Sequence, residues 1–362
     1  KGEIIGTKET INGKEYYTVT TNSKGEITAD LPEGMYKAVE VEAPEKYDLS
    51  DSTYYFGIGT SREGKMGYKA TWTKGIGGTG RDYINSISET SDGGYIVGGY
   101  FESSNIDLEN GISLTNKGYY DGMIIKYSSN GETEWAKVIG GTNDDTINSV
   151  AETTDGGYIV GGYFKSISID LGNGISLSNS GDSDGMLIKY NSRGVPQWAR
   201  VIGGSRGDYI YSAEETTDGG YLVGGVFESN SISLGNGVSL TNTSTVESNV
   251  YPTDGMIIKY NNKGIAQWIK GLESSKDAHI SKLVLTSDGG FFVAGYFGSG
   301  GSYLHIGDIW INNTNYNYYD GFVAKYNGSG EVQWAKGLGG TGADIVYALG
   351  ATSDGGCVVG GY

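Results

Sequence analysis

Carboxylates are the residues of this 362-residue chain whose spacing first suggests chemistry. Asp82, Asp145, Asp208 and Asp344 recur just ahead of similar apolar runs. Carboxylates at equivalent positions of a repeat can ring one mouth of a central channel and hold a hard cation through oxygen ligands. Ala278 occupies the remaining equivalent position, however, and an Asp beside Gly-Gly also caps a turn. The cation ring is kept as an alternative and turn capping is preferred. A second series, Asp92, Asp155, Asp218, Asp288 and Asp354, stands in Asp-Gly-Gly triplets. Asp-Gly is the pair favoured where a hairpin turn needs positive φ. A hydrolytic site needs two carboxylates in one pocket, not one per repeat, so this series reads as turn chemistry. Asp144-Asp145 and Asp182-Ser183-Asp184 lack the spacing of a calcium loop. No metal and no cofactor is therefore expected; calcium would have to bind without a specific motif.

Nucleophiles and general bases are scarce. Cys357 is the single cysteine, which excludes an internal disulfide and any Cys-based metal site; its place in a strand makes it a buried thiol. His279 and His305 are the only histidines. The aromatic residues of 302–320 are the better candidates. Tyr303, His305, Trp310, Tyr316, Tyr318 and Tyr319 lie on a polar, Asn-rich stretch, where exposed rings suit a glycan or a protein surface. A small core beneath that loop is the competing reading.

These residues are positioned by a repeat. Trp72, Trp135, Trp198, Trp268 and Trp334 open similar phrases at intervals of 63, 63, 70 and 66 residues. A period this long marks stacked supersecondary units. In the second unit, 145–153 predicts a first strand, Asp155-Gly156-Gly157 a turn, and 158–164 a second strand. The run 184–190 predicts a third strand, Gly194 a left-handed turn position, and 195–202 a fourth strand holding Trp198 in the core. Four antiparallel strands per period fit a β-propeller blade. Ile159, Leu187 and Ile188 are core candidates, and Gly161-Gly162 would let neighbouring blades approach. Inserts at 105–116, 167–179, 231–253 and 302–320 read as hairpins protruding from one edge, which would form a composite rim. Five blade units are visible and the last is incomplete. A strand at Trp72 is expected to complete the unit of residues 344–362, because an open edge invites aggregation.

The segment 1–60 lacks the repeat. Alternation at 15–21, 26–31 and 35–44, with Gly-containing turns between, predicts a small antiparallel sandwich; 61–70 reads as a linker before the propeller of 71–362. Its Gly25, Leu31-Pro32-Glu33-Gly34-Met35-Tyr36, Glu40, Ala43-Pro44 and Tyr47 resemble the prealbumin-like Cna-B/SpaA domain of Gram-positive pilins and adhesins. The resemblance implies that Glu40 corresponds to the Glu that assists a Lys–Asn isopeptide bond. The bonding Lys has no counterpart upstream and no Asn closes 54–61, so Glu40 is expected to be inactive here. The chain reads as an internal fragment, opening mid-strand and stopping mid-repeat.

The phrases W-x-K-x-(I/L)-G-G, D-G-G-(Y/F) and D-G-(M/F)-x-x-K-Y resemble bacterial β-propeller repeats of secreted and surface proteins. A net charge of −17 disfavours nucleic acid and anionic membranes. Gly is 63 of the residues but falls at fixed repeat positions, with Pro only 4, which argues for turns and tight packing rather than disorder. The turns before each Trp lack the Asp of a sialidase-type box. The expectation is an all-β, non-enzymatic, extracellular or cell-wall protein whose propeller loops bind a glycan or a surface protein. A polysaccharide hydrolase or lyase is the alternative, and a structural spacer the third reading.

Overall fold

In the computed structural model the described residues are the strand backbones of 7–11, 14–18, 34–39 and 53–58, together with 72–242, 252–298, 302–314 and 317–362. All regular structure among them is β-strand, and none is a helix long and apolar enough to cross a membrane. The chain divides into two units, Lys1–Ala70 and Thr71–Tyr362. In the first, Thr7–Ile11 pairs with Lys14–Thr18, and Gly34–Val39 with Thr53–Ile58, both antiparallel. Glu40 lies outside the described residues.

The second unit is a propeller-like array of four blades. The second blade runs in chain order Asp145–Glu152, Tyr158–Phe164, Asp184–Tyr190 and Pro196–Ile202, each strand pairing with the next. The same order recurs from Asp82, Asp208 and Ala278. Ile159, Leu187 and Ile188 are fully buried. Both faces of the second and third strands are covered, so these runs are buried almost continuously rather than at alternate positions.

Close packing between blades explains the glycines. A Cβ on Gly161 would sit 2.9 Å from Ile210 Cγ2 of the next blade. One on Gly162 would sit 2.0 Å from the Thr146 carbonyl oxygen of its own first strand, beside a bulge between Ile147 and Ser149. Only the first glycine therefore serves contact between blades. Trp72, Trp135, Trp198 and Trp268 are half-buried, and Trp135 packs across the interface, meeting Tyr158 edge-on at 5.6 Å and lying over Gly194, whose φ is 69°; Trp334 is exposed.

One polar device recurs inside every blade. Asp155 Oδ1 accepts from Thr153 Oγ1 (2.6 Å) and from the Gly157 amide (3.0 Å), which fixes the turn in which Gly156 has a φ of 73°. Lys189, from the third strand, reaches back with its ammonium 2.9 Å from Asp155 Oδ1 and 3.0 Å from the Tyr190 carbonyl. Its side chain is 3% exposed against 56% for Asp155. Lys126–Asp92, Lys259–Asp218 and Lys325–Asp288 repeat the pair. A buried ammonium is tolerated only when its three donors are satisfied.

The inserts do not protrude. Their apolar residues, Ile106, Leu108 and Leu114 in the first and Ile169 and Leu177 in the second, are buried against the outer strand of their blade. Thr133 Oγ1 in the first outer strand donates to the Leu108 carbonyl at 2.9 Å. A composite rim is thus replaced by hairpins draped around the perimeter, because that is where their apolar side finds cover. Most of the lengthening of the third insert, 243–251, lies outside the described residues.

The expected closure at Trp72 is corrected. Residues 72–78 carry no strand pairing, and Val346–Ala351 with Cys357–Gly361 form a two-stranded sheet. An outer strand pairs with a third strand, and residues 344–362 supply only a first and a second. Trp72 nevertheless packs on Tyr95 at 5.6 Å, as Trp135 does on Tyr158. Ile87, equivalent to the buried Val150, is 62% exposed.

Replacing Asp155 with Ala is expected to lower unfolding free energy by about 3 kcal/mol, since it strands a buried ammonium. Lys189→Met, which leaves only a half-exposed carboxylate, should cost less than ~1 kcal/mol. Chemical denaturation of both variants checks this; equal losses would contradict it.

Candidate functional site

The recurrent carboxylates serve the scaffold. Asp145 is fully buried; its Oδ2 accepts from the Gly141 amide (2.8 Å) and Ser166 Oγ (2.6 Å), and its Oδ1 from the Ser166 amide (3.2 Å). Asp208 makes the same bonds with Gly204 and Ser229, and Asp82 with Gly78 and Ser103. Asp344 accepts from Gly340. Asp82, Asp145 and Asp208 thus tie the turn ahead of the first strand to the segment after the second, and Asp344 is engaged in its turn alone. Among the described residues no three His, Cys, Asp or Glu side chains are placed to hold one metal ion.

Burial sets how these groups titrate. It pushes Asp208 up to about 6 against the opposing bonds from Ser229 and Gly204. Burial likewise pushes Asp121, at the start of a third strand, up to about 6. The Asp121 Oδ1 has no hydrogen-bond partner; it lies over Gly140, where a Cβ would be 2.2 Å away. Asp82 is the contrast: burial still opposes ionisation, but at this less covered position Ser103 and Gly78 prevail and its pKa is lowered.

The aromatic insert of 302–320 does not act as one group. Its hairpin, Tyr303–Ile306 with Ile309–Asn312, is added to the outer strand Ala266–Ser274 of the preceding blade. That strand is longer than its counterparts because Glu273-Ser274 stands where other units have Gly-Gly. Alternation then sorts the side chains. Leu304, Ile306 and Ile311 pack into the core. Glu273, His305 and Trp310 face one another across three strands on the other side. Trp310 stacks on His305 with centroids 4.1 Å apart, tilts against Tyr303 at 4.7 Å, and is 58% exposed. His305 Nδ1 is 2.9 Å from Glu273 Oε2. The loop core exists, but Leu304, Ile306 and Ile311 make it, so the Trp310 ring is left to solvent. Tyr318 is exposed and separate, Tyr319 turns away, and Tyr316 lies outside the described residues.

Tyr319 belongs to a second aromatic feature that periodicity alone does not reveal. First strands of successive blades contact one another, so they converge on one side of the array. Register then brings rings together at their starts. Tyr83 pairs with Tyr100 and His279 with Tyr296 across the first and second strands. Tyr120 and Tyr319 arrive from just ahead of the third strands. Tyr83 stacks on Tyr100 at 4.9 Å, and Tyr100 meets Tyr120 at 4.9 Å. Tyr120 is hydrogen-bonded to Tyr163, and Tyr163 meets Tyr209 at 4.8 Å. Tyr209, Tyr211, His279, Tyr296 and Tyr319 follow at 6.5, 6.2, 4.7 and 5.2 Å. Tyr83 is exposed and the other rings of this belt are half-buried. The available signal was the Tyr closing V-G-G-Y together with aromatics at the second position of the first strands.

Charged groups fringe the belt in pairs. Arg81 lies 3.0 Å from Glu102, and Lys165 3.1 Å from Asp144. Glu228 faces Arg206 as well as Asp182 and Asp277. Asp277 accepts from the Thr253 amide at 3.0 Å and from the Tyr319 hydroxyl at 3.4 Å. Burial holds His279 down at about 4, so it is neutral at physiological pH.

Comparison with known proteins bears mainly on the first unit. The family model for SpaA, a prealbumin-like fold domain, matches residues 3–73. An alignment over 240 residues, covering 58% of this chain, is 23% identical to an uncharacterized WD repeat-containing protein, L264, of Acanthamoeba polyphaga mimivirus. The chain spans only 17% of that protein's length. A crystal structure of a protein of unknown function from Bacteroides caccae is aligned over 71% of this chain and 82% of its own, at 10% identity and a TM-score of 0.29.

The carboxylates generate a pH prediction. Asp121 and Asp208, raised above the ordinary Asp value, cost stability when ionised, and that cost is relieved as pH falls through about 6. Asp92, held at about 2 chiefly by Thr90 and Lys126, contributes stability that is present above the unfolded value of about 4 and is lost as pH falls toward 2. Melting temperature should therefore rise from pH 7 to 5 and fall below 4. Asp208→Asn should flatten the upper limb; an unchanged slope there contradicts the assignment.

Proposed function

We propose that this chain is a non-catalytic binding and display protein of a cell surface, in which the prealbumin-like unit accompanies a propeller that carries the ligand site. The observation that carries this reading is the Trp310 row. A Trp held by a stacked His305, anchored in turn by Glu273, flanked by Tyr303 and left 58% exposed is a preorganised aromatic anchor open to a partner. Aromatic anchors of this kind lose little rotamer entropy on binding and suit the flat face of a sugar or a peptide. The uniform blades serve as scaffold, and the one insert that differs most in composition holds the anchor. The prealbumin-like match supports a place among surface modules, and the secreted or wall-associated location belongs to the same proposal.

The test is an array of glycans and immobilised surface proteins, followed by the double variant Tyr303→Ala/Trp310→Ala. Each exposed anchor is worth about 1–2 kcal/mol, so affinity should fall about tenfold or more while the melting temperature holds. Binding that survives the double change rejects this surface.

A further inference from the structure

We infer that the free edge of the strand Cys357–Gly361 is a docking site for an extended segment of a partner polypeptide, of the type D-G-(M/F)-x-x-K-Y, which pairs as a third strand and sets its lysine on Asp354. This goes beyond the Trp310 reading and uses none of its residues. Cys357–Gly361 pairs on one side with Val346–Ala351, and among the described residues no strand pairs with its other side. An unpaired edge presents a row of N–H and C=O groups that an incoming strand can take up. The side chains agree with the backbone. Val358 is 63% exposed and Val359 37%, whereas Ile159 and Val160, at the same positions of the second blade, are fully buried.

The four complete blades identify the occupant. Their second strands pair with third strands in one register, in which Ile96, Ile159, Leu222 and Phe292 stand opposite Lys126, Lys189, Lys259 and Lys325. Val358 is the corresponding residue here, so the same register sets a lysine opposite it, beneath the adjoining Asp-Gly-Gly turn. That turn is already shaped to receive it. Asp354 accepts from Thr352 Oγ1 and from the Gly356 amide at 3.1 Å, and Gly355 has a φ of 84°. A Cβ on Gly94, Gly157, Gly220 or Gly290 would strike the lysine ammonium of its blade; on Gly356 it would meet only Thr352 and Asp354. At any other register the incoming lysine would be buried without an anion, which fixes the alignment. The turn after a third strand makes a second contact. Gly194, Gly264 and Gly330, each four residues beyond the closing Tyr, lie on Trp135, Trp198 and Trp268 of the preceding blade. Trp334, next in that series, is exposed, and a segment that continues as x-x-x-G covers it.

The probe is a labelled synthetic peptide, DGMLIKYNSRG, the sequence of residues 184–194, mixed with the whole chain and followed by fluorescence anisotropy. Binding should saturate below about 1 mM, and a scrambled peptide of the same charge should not bind. Asp354→Asn keeps the turn acceptor and removes the charge. It should weaken the peptide about tenfold or more, because the lysine then docks without its anion. A peptide carrying Lys189→Met has no ammonium to neutralise, so Asp354→Asn should change its affinity less than about twofold. Unlabelled peptide should shift tryptophan emission to the blue, and Trp334→Phe should remove most of that shift. The inference is overturned if the peptide does not bind, if the scrambled peptide binds as well, if Asp354→Asn weakens both peptides alike, or if the emission shift survives Trp334→Phe in full. It is also overturned if the chain alone sediments as a dimer that the peptide does not dissociate, since the edge would then belong to a second copy.

Discussion

Each blade depends on a lysine ammonium buried beneath its own hairpin turn. Lys126, Lys189, Lys259 and Lys325 rise from the third strands, and each reaches the Asp of an Asp-Gly-Gly turn on the edge of the same sheet. The pair ties the second and third strands at one end, where the inner edge would otherwise fray. Burying an ammonium is expensive unless all three donors are used, so the arrangement admits little variation in register. That intolerance explains why the Asp-Gly-Gly and Lys-Tyr phrases recur together. In residues 344–362 Asp354 keeps its turn bonds to Thr352 and Gly356, and among the described residues no lysine is paired with it.

The blade plan was legible because turn chemistry and periodicity act locally. Asp155-Gly156-Gly157 specifies a hairpin with positive φ wherever it stands, and Gly194 does the same for the next turn. What was not legible depends on which surface covers which side chain. Lys189 looks like an ordinary solvent-facing strand lysine until Asp155 is seen above it. Ile106 and Leu114 look like the face of a protruding hairpin until the outer strand is found beneath them. Trp72 looks like a closing strand, yet the strand it would pair with is not among residues 344–362.

The candidate sites show the same division. Tyr303, His305 and Trp310 were recognisable as an unusual aromatic set, and alternation in the hairpin places them on one side. Their exposure, however, follows from Leu304, Ile306 and Ile311 taking the core on the other side. Tyr100, Tyr163 and Tyr296 were visible as repeated letters, but a recurring Tyr reads equally well as core. Only the convergence of the first strands joins them to Tyr83, Tyr209 and His279. Asp82, Asp145 and Asp208 attract attention as carboxylates and turn out to hold glycine amides and a serine hydroxyl, a structural use of residues that resemble a site.

Residue-resolved acetylation tests the central claim most directly. Native protein is treated briefly with an acetylating reagent and the modified lysines are located by mass spectrometry. Lys126, Lys189, Lys259 and Lys325, all nearly inaccessible and ion-paired, should resist modification until the chain is unfolded, while the exposed Lys117, Lys137 and Lys263 react at once. Rapid acetylation of the four buried lysines in the folded protein would contradict the account, because the blades would then be standing without their clasp.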